Sequence, residues 1–178
     1  MEAASLLVWR STRWDITILS NPSFSQLLGS PVLFLAFGLG SGLAPRAPGT
    51  VGTLVAVPIW YVASHLPFIT YLCLLYAAVV VGTYICGRAS AQLGVHDHSG
   101  IVWDEWVGFW IAMAAVTPSW LSLLLGFSLF RIFDILKPWP ISWIDKNIDG
   151  GIGIMLDDIL AGLVTAALLA ILKSYGLL

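Results

Sequence analysis

The sequence predicts an all-α fold: a multi-pass transmembrane helical bundle of about five spans, preceded by a short N-terminal or re-entrant segment. Three observations carry this expectation. Hydrophobic residues make up 58% of the 178 positions and charged residues 10%, where a soluble domain carries about 25% charged. Apolar runs approaching the roughly 20 residues that cross a bilayer alternate with charged polar loops. The connections His65-Leu66-Pro67-Phe68 and Thr117-Pro118-Ser119 are short and lack Lys and Arg.

Taken in order, residues 1–30 read as an interfacial arm and residues 31–178 as one membrane-embedded domain. Arg10, Arg13 and Asp15 interrupt any signal-peptide core, whereas Trp9, Trp14 and the two arginines suit a headgroup layer. Pro31 to Leu43 is apolar but short and glycine-rich, so it reads as a partial or re-entrant segment. It runs into Gly38 to Gly52, whose glycines and prolines predict a first polar loop with exposed backbone N–H groups. The five predicted spans are Thr53 to Leu66, Ile69 to Cys86, Ile101 to Val116, Trp120 to Leu136 and Met155 to Leu172. Polar loops lie at Gly87 to Gly100 and at Lys137 to Gly153, the latter opened by Lys137-Pro138-Trp139-Pro140, where proline stops the preceding helix.

If all five runs cross, the charged loops share one face. Arg46, Arg88, Lys137 and Lys146 lie on it, and the positive-inside rule then places it in the cytoplasm.

The net charge of −2 and the absence of a basic run exclude a nucleic-acid-binding role. Cys73 and Cys86 lie in one apolar segment, too far apart along a helix to form a disulfide within it, and read as packing residues. No C-x5-R loop makes either a nucleophile.

The candidate chemistry lies in acids at the ends of apolar runs, because a carboxylate at a membrane edge is costly enough to imply a function. Asp104 shares a helical face with Gly108 and Ala112, and Asp158 shares one with Ala161, Gly162 and Thr165. Small residues mark close helix approach, so both acids are expected to face inward. Arg131, Asp134 and Lys137, at steps of three, share roughly one face. Carboxylates converging from three helices suggest a hard divalent cation, Mg²⁺, held among Asp104, Glu105, Asp134, Asp157 and Asp158 and completed by substrate phosphate. The competing reading is ion pairing with Arg88, Arg131, Lys137 and Lys146. His96 and His98 flank Asp97 without a third soft ligand for zinc, so a proton-transfer role stands beside a purely structural one. Arg46 and Thr50, with the N–H groups of the first loop, are candidates to cradle an anion.

Four stretches in order carry a resemblance. They are Gly38 to Thr53; Gly94-Val95-His96-Asp97-His98 with Ile101-Val102-Trp103-Asp104-Glu105; Phe130-Arg131-Ile132-Phe133-Asp134 with Lys137-Pro138-Trp139-Pro140-Ile141; and Gly150-Gly151 with Gly153-Ile154-Met155 and Asp157-Asp158. Together, over about Phe34 to Gly162, they closely resemble the phosphatidylglycerophosphatase A family. The resemblance implies a bacterial inner-membrane, Mg²⁺-dependent lipid phosphatase that converts phosphatidylglycerophosphate to phosphatidylglycerol and phosphate.

Asp-x-Asp-x-Thr, C-x5-R and Pro-Ser-Gly-His are all missing, which favours metal-activated water, with a covalent aspartyl phosphate as the alternative. In this reading Asp104, Glu105, Asp134 and Asp158 hold the metal, while Arg88, Arg131 and Lys137 bind phosphate oxygens. Two other classes are weighed against it. The acids from Asp145 to Asp158 approach the motif of CDP-alcohol phosphotransferases, but the first spacing is one residue too long and Ala-Arg is missing. A cation or proton transporter would carry its acids at mid-helix, whereas these cluster at helix ends.

Overall fold

A computed structural model describes residues 21–95 and 97–178. Every regular element among them is helical: α1 (Phe24–Gly29), α2 (Pro31–Ala36), a 3₁₀ segment (Gly38–Leu43), α3 (Pro48–Ala63), α4 (Phe68–Leu93), α5 (Trp103–Met113), α6 (Trp120–Leu136), α7 (Ile141–Asn147) and α8 (Gly150–Ser174). The predicted all-α class is therefore correct. The predicted count of spans is not.

Two helices, α4 with 26 residues and α8 with 25, are long and apolar enough to cross a membrane. The other apolar runs fall short. α3 has 16 residues, α5 has 11 and α6 has 17, so at about 1.5 Å per residue they reach about 17–26 Å against a hydrocarbon core of about 30 Å. α5 shows why composition misled. Eight of its eleven residues are buried, and it packs against α3, α4, α6 and α8. A helix that is apolar all round can be lipid-facing or the core of a helical bundle; α5 is the core. With two membrane-length helices, the argument that sidedness follows from five crossings lapses.

Local chemistry sets the other boundaries. α3 starts at Pro48, earlier than the predicted Thr53, because proline is pre-organised for the first helical position. α4 continues past Cys86 to Leu93 and ends at Gly94, which takes a left-handed backbone with φ +68°. Ser119 caps α6 by accepting from the Ser122 N–H at 3.0 Å. The third predicted loop contains a helix, α7, anchored by the buried Ile141. α8 begins at Gly150, within that same predicted loop.

Of the predicted arm, residues 1–20 lie outside the described residues. Residues 24–29 form α1, which a capping box of Ser23 and Gln26 starts and the fully buried Leu27 docks onto the body. Pro31 to Leu43 becomes α2 and the 3₁₀ segment, each of six residues and too short to span.

The contact between α5 and α8 positions the site. A Cβ on Gly162 would strike the Gly108 carbonyl, and one on Gly108 would lie 2.7 Å from the Asp158 carbonyl oxygen. Only glycine admits this approach. Asp104 and Asp158 each stand one helical turn before their glycine, so the close contact brings the two acids level.

Candidate functional site

A cavity of about 300 Å³ opens at the end of the bundle where α3, α5 and α8 begin and α6 ends. Its walls carry six carboxylates, Asp97, Asp104, Glu105, Asp134, Asp157 and Asp158, against two basic groups, Arg131 and Lys137. Asp104, Glu105 and Asp158 form the inner wall. One oxygen from each of the three lies within 4.8 Å of the others. Asp104 is 6% exposed and Asp158 3%.

Glu105 Oε2 and Asp158 Oδ1 are buried without a hydrogen-bond partner. Orphaned buried carboxylate oxygens in an oxygen-only cluster are what a hard divalent cation satisfies, so these residues fit Mg²⁺. Burial, and then the charge of Glu105, pushes the Asp104 carboxyl well above its usual range. Burial, followed by the charge of Asp158, does the same to Glu105. Without a cation the cluster therefore resists full ionisation.

Arg131, Asp134, Lys137 and Asp157 are paired. Arg131 Nη1 lies 2.5 Å from Asp134 Oδ2 and 3.9 Å from Glu105 Oε1. It also donates to the Thr53 hydroxyl at 3.5 Å, while that hydroxyl donates to the Gly49 carbonyl at 2.8 Å. Arg131 Nε is buried and has no partner. Lys137 Nζ donates to Asp145 Oδ1 at 2.5 Å and to Asp157 Oδ2 at 2.6 Å. Desolvation lowers the Lys137 ammonium, but the hydrogen bonds and charges of Asp145 and Asp157 outweigh it and hold the group above its ordinary range.

Gly49, in the first turn of α3, borders the cavity because a Cβ there would collide with Glu105 Oε1 and come within 3.0 Å of Arg131 Nη2. No side chain caps this end of α3, so its positive end faces the acids.

The predicted residues thus separate. Asp104, Glu105, Asp134, Asp157, Asp158, Arg131 and Lys137 meet at the cavity. Asp104, Glu105 and Asp158 cluster, with Glu105 also 3.9 Å from Arg131, whereas Asp134 and Asp157 each engage a basic group at hydrogen-bond distance. Arg46 is exposed in the turn before α3, Thr50 is half-buried in its first turn, and Arg88 is exposed on α4; none of the three lines the cavity. His98 packs its ring 5.5 Å from that of Phe37, and its Nδ1 accepts from the Gly100 N–H at 3.0 Å. Burial lowers its pKa and the charge of Asp97 partly offsets this. His98 does not line the cavity, and His96 lies outside the described residues.

Four participants escaped the sequence reading: Gly49, Thr53, Asp97 and Asp145. Gly49 sat in a stretch read as loop, and Thr53 stood at the first position of a predicted span. Asp145 shares a face with Ile141 four residues earlier, a signal available only once α7 is recognised as a helix.

Fold and site define an all-helical protein with an acid-and-base cavity at one end of two membrane-length helices. Residues 34–173 match the family described as Phosphatidylglycerophosphatase A, and the chain belongs to that family. It is 46% identical to phosphatidylglycerophosphatase A of Escherichia coli, over 80% of this chain and 83% of that protein. Against the protein of the same name from Haemophilus influenzae it is 43% identical, covering 81% of this chain and 90% of the other. A Bacteroides thetaiotaomicron protein, provisionally named a phosphatidylinositol-3-phosphatase, is 39% identical over 87% of this chain and 98% of its own length. No solved structure matches.

Proposed function

We propose that this chain is a lipid phosphatase that hydrolyses phosphatidylglycerophosphate to phosphatidylglycerol and phosphate, with Mg²⁺ held by Asp104, Glu105 and Asp158. The observation that supports it best is the pairing, within one cavity, of a carboxylate cluster with orphaned oxygens and two basic groups. The family membership supports the substrate. All three relatives' names describe phosphate removal from a phospholipid.

Charge decides in favour of a cation. With six acids and two bases on its walls, the cavity repels a phosphate monoester dianion unless divalent charge is added. A bound Mg²⁺ supplies that charge, polarises a phosphoryl oxygen and lowers the pKa of an attacking water.

The chain's own residues do the rest. The unpartnered Nε–H of Arg131 donates to a phosphoryl oxygen, and Lys137 offers the N–H that its two carboxylates leave over. Both stabilise charge that grows on the phosphoryl oxygens as water oxygen bonds to phosphorus and the bond to the glycerol oxygen breaks. That oxygen leaves as the alcohol of phosphatidylglycerol, taking up a proton, while the attacking water loses one.

α4 and α8 cross a bacterial inner membrane, and the exposed Phe68, Ile69, Leu74, Val80, Leu163 and Ile171 face the lipid. Of the described basic residues, Arg46, Arg88, Arg131, Lys137 and Lys146 lie at or near the cavity end, and Lys173 lies at the other. By the positive-inside rule the cavity faces the cytoplasm.

The test is phosphate release from phosphatidylglycerophosphate in mixed micelles by purified protein. Release that requires Mg²⁺ is expected; full activity in excess chelator overturns the metal assignment. Cysteines placed at Ser99 and Asn147 are expected to react with impermeant thiol reagents in inside-out vesicles and not in intact cells. Labelling in intact cells overturns the sidedness.

A further inference from the structure

We infer that Asp145, on α7, is a positioning residue for substrate phosphate, acting through Lys137. The inference rests on the phosphatase reading and adds a residue outside the cavity to it.

Lys137 occupies a strained place. It ends α6 with a left-handed backbone, φ +41°, where glycine or asparagine is the usual residue. A lysine in that conformation points to a requirement for its side chain. That side chain lines the cavity, with its ammonium between two carboxylates that come from different helices.

Asp157, on α8, is itself part of the cavity wall, whereas Asp145 does not line the cavity and reaches Lys137 from the solvent-exposed side. An ammonium has three N–H groups in tetrahedral array. Fixing two of them, at 2.5 Å to Asp145 and 2.6 Å to Asp157, fixes the direction of the third. Neither carboxylate alone does this, since a single bond leaves the ammonium free to rotate about it.

α7 is built to deliver that second bond. It has only seven residues, too few to be stable alone. Its buried anchor is Ile141, 1% exposed, and Asp145 one turn later lies at the exposed edge of the helix, within reach of Lys137. Ile141 docks the helix and Asp145 reaches the lysine.

The experiment measures KM, kcat and Mg²⁺ requirement for the full chain in phosphatidylglycerophosphate micelles, comparing Asp145→Asn, Lys137→Met and the double variant. It also measures acylation of Lys137 by acetic anhydride, read by mass spectrometry. For Asp145→Asn, KM is expected to rise about tenfold, the loss of one charge-assisted hydrogen bond, with kcat and Mg²⁺ requirement little changed. In the Lys137→Met background the same substitution is expected to do nothing further. Lys137 is expected to acylate faster in Asp145→Asn than in wild type.

A KM effect that persists without Lys137, or a raised Mg²⁺ requirement, overturns the inference. Should Asp145→Asn fail to fold, Asp145→Glu keeps the charge and is expected to raise KM by a smaller factor, and only when Lys137 is present; an unchanged KM overturns the inference. If wild-type protein releases no phosphate, the phosphatase reading fails. The acylation rate still tests the link between Asp145 and Lys137, and equal rates in the two proteins overturn it.

Discussion

The inner wall and the rim of the cavity are built from the same residue types and behave oppositely. On the inner wall, Asp104, Glu105 and Asp158 crowd together, and Glu105 Oε2 and Asp158 Oδ1 lack partners. On the rim, Lys137 joins Asp145 and Asp157 at 2.5 and 2.6 Å. Adjacent residues in one helix, Asp157 and Asp158, thus belong to different systems. A carboxylate whose charge is already matched has no need of a cation, whereas one buried among its own kind does. The difference teaches that counting acids overstates the ligands.

The sharpest way to break this comparison is to neutralise the neighbours one at a time. Asp158→Asn is expected to abolish phosphate release, since it removes a proposed ligand, while leaving the metal-free fold at least as stable because a crowded buried charge is gone. Asp157→Asn leaves Lys137 paired with Asp145 and is expected to cost only about 10-fold to 100-fold in activity, as for a residue that supports ligands without being one. Equal losses of activity would erase the distinction between wall and rim.

A smaller perturbation probes how closely α3 is fitted to the inner wall. Gly49→Ala puts a methyl group into Glu105 Oε1 and against Arg131. Activity is expected to fall about 10²-fold, as for a displacement of catalytic groups by about 1 Å, with the far-ultraviolet circular dichroism of wild type. Wild-type activity in this variant would show that the first turn of α3 has room to shift.

The mildest test changes only the solvent. The Asp104 and Glu105 carboxyls sit above their ordinary range in the folded, metal-free protein, chiefly through burial. As pH rises from the unfolded-state range of these groups toward their raised folded-state range, the unfolded chain releases protons that the folded protein keeps. The unfolded state then binds fewer protons, so stability falls with rising pH. Thermal unfolding in chelator is expected to show a midpoint that declines from mildly acidic to neutral pH. Mg²⁺ is expected to flatten that slope, and the Mg²⁺ needed for half-maximal activity to rise on acidification, because protons compete for the same oxygens. A slope unaffected by Mg²⁺ would separate the inner wall from metal binding.

Much of this was legible in the chain. The apolar periodicity and the proline and glycine breaks gave helices near their true places, and Trp120 to Leu136 has the predicted bounds. The small residues beside Asp104 and Asp158 marked the faces that meet, because close helix approach requires them wherever it occurs. Four ordered motifs carried the family. These are local properties, written in residue identity and spacing.

Tertiary structure decided what local properties leave degenerate. An apolar helix has the same composition whether lipid or protein surrounds it, so only the packing of α3, α4, α6 and α8 around α5 marks that helix as core, while helix length leaves two of the five expected spans long enough to cross. Carboxylates likewise look alike along a chain. Asp158 became a candidate ligand and Asp157 a partner of Lys137 because successive residues on a helix point about 100° apart, and what each meets there is supplied by residues distant in sequence.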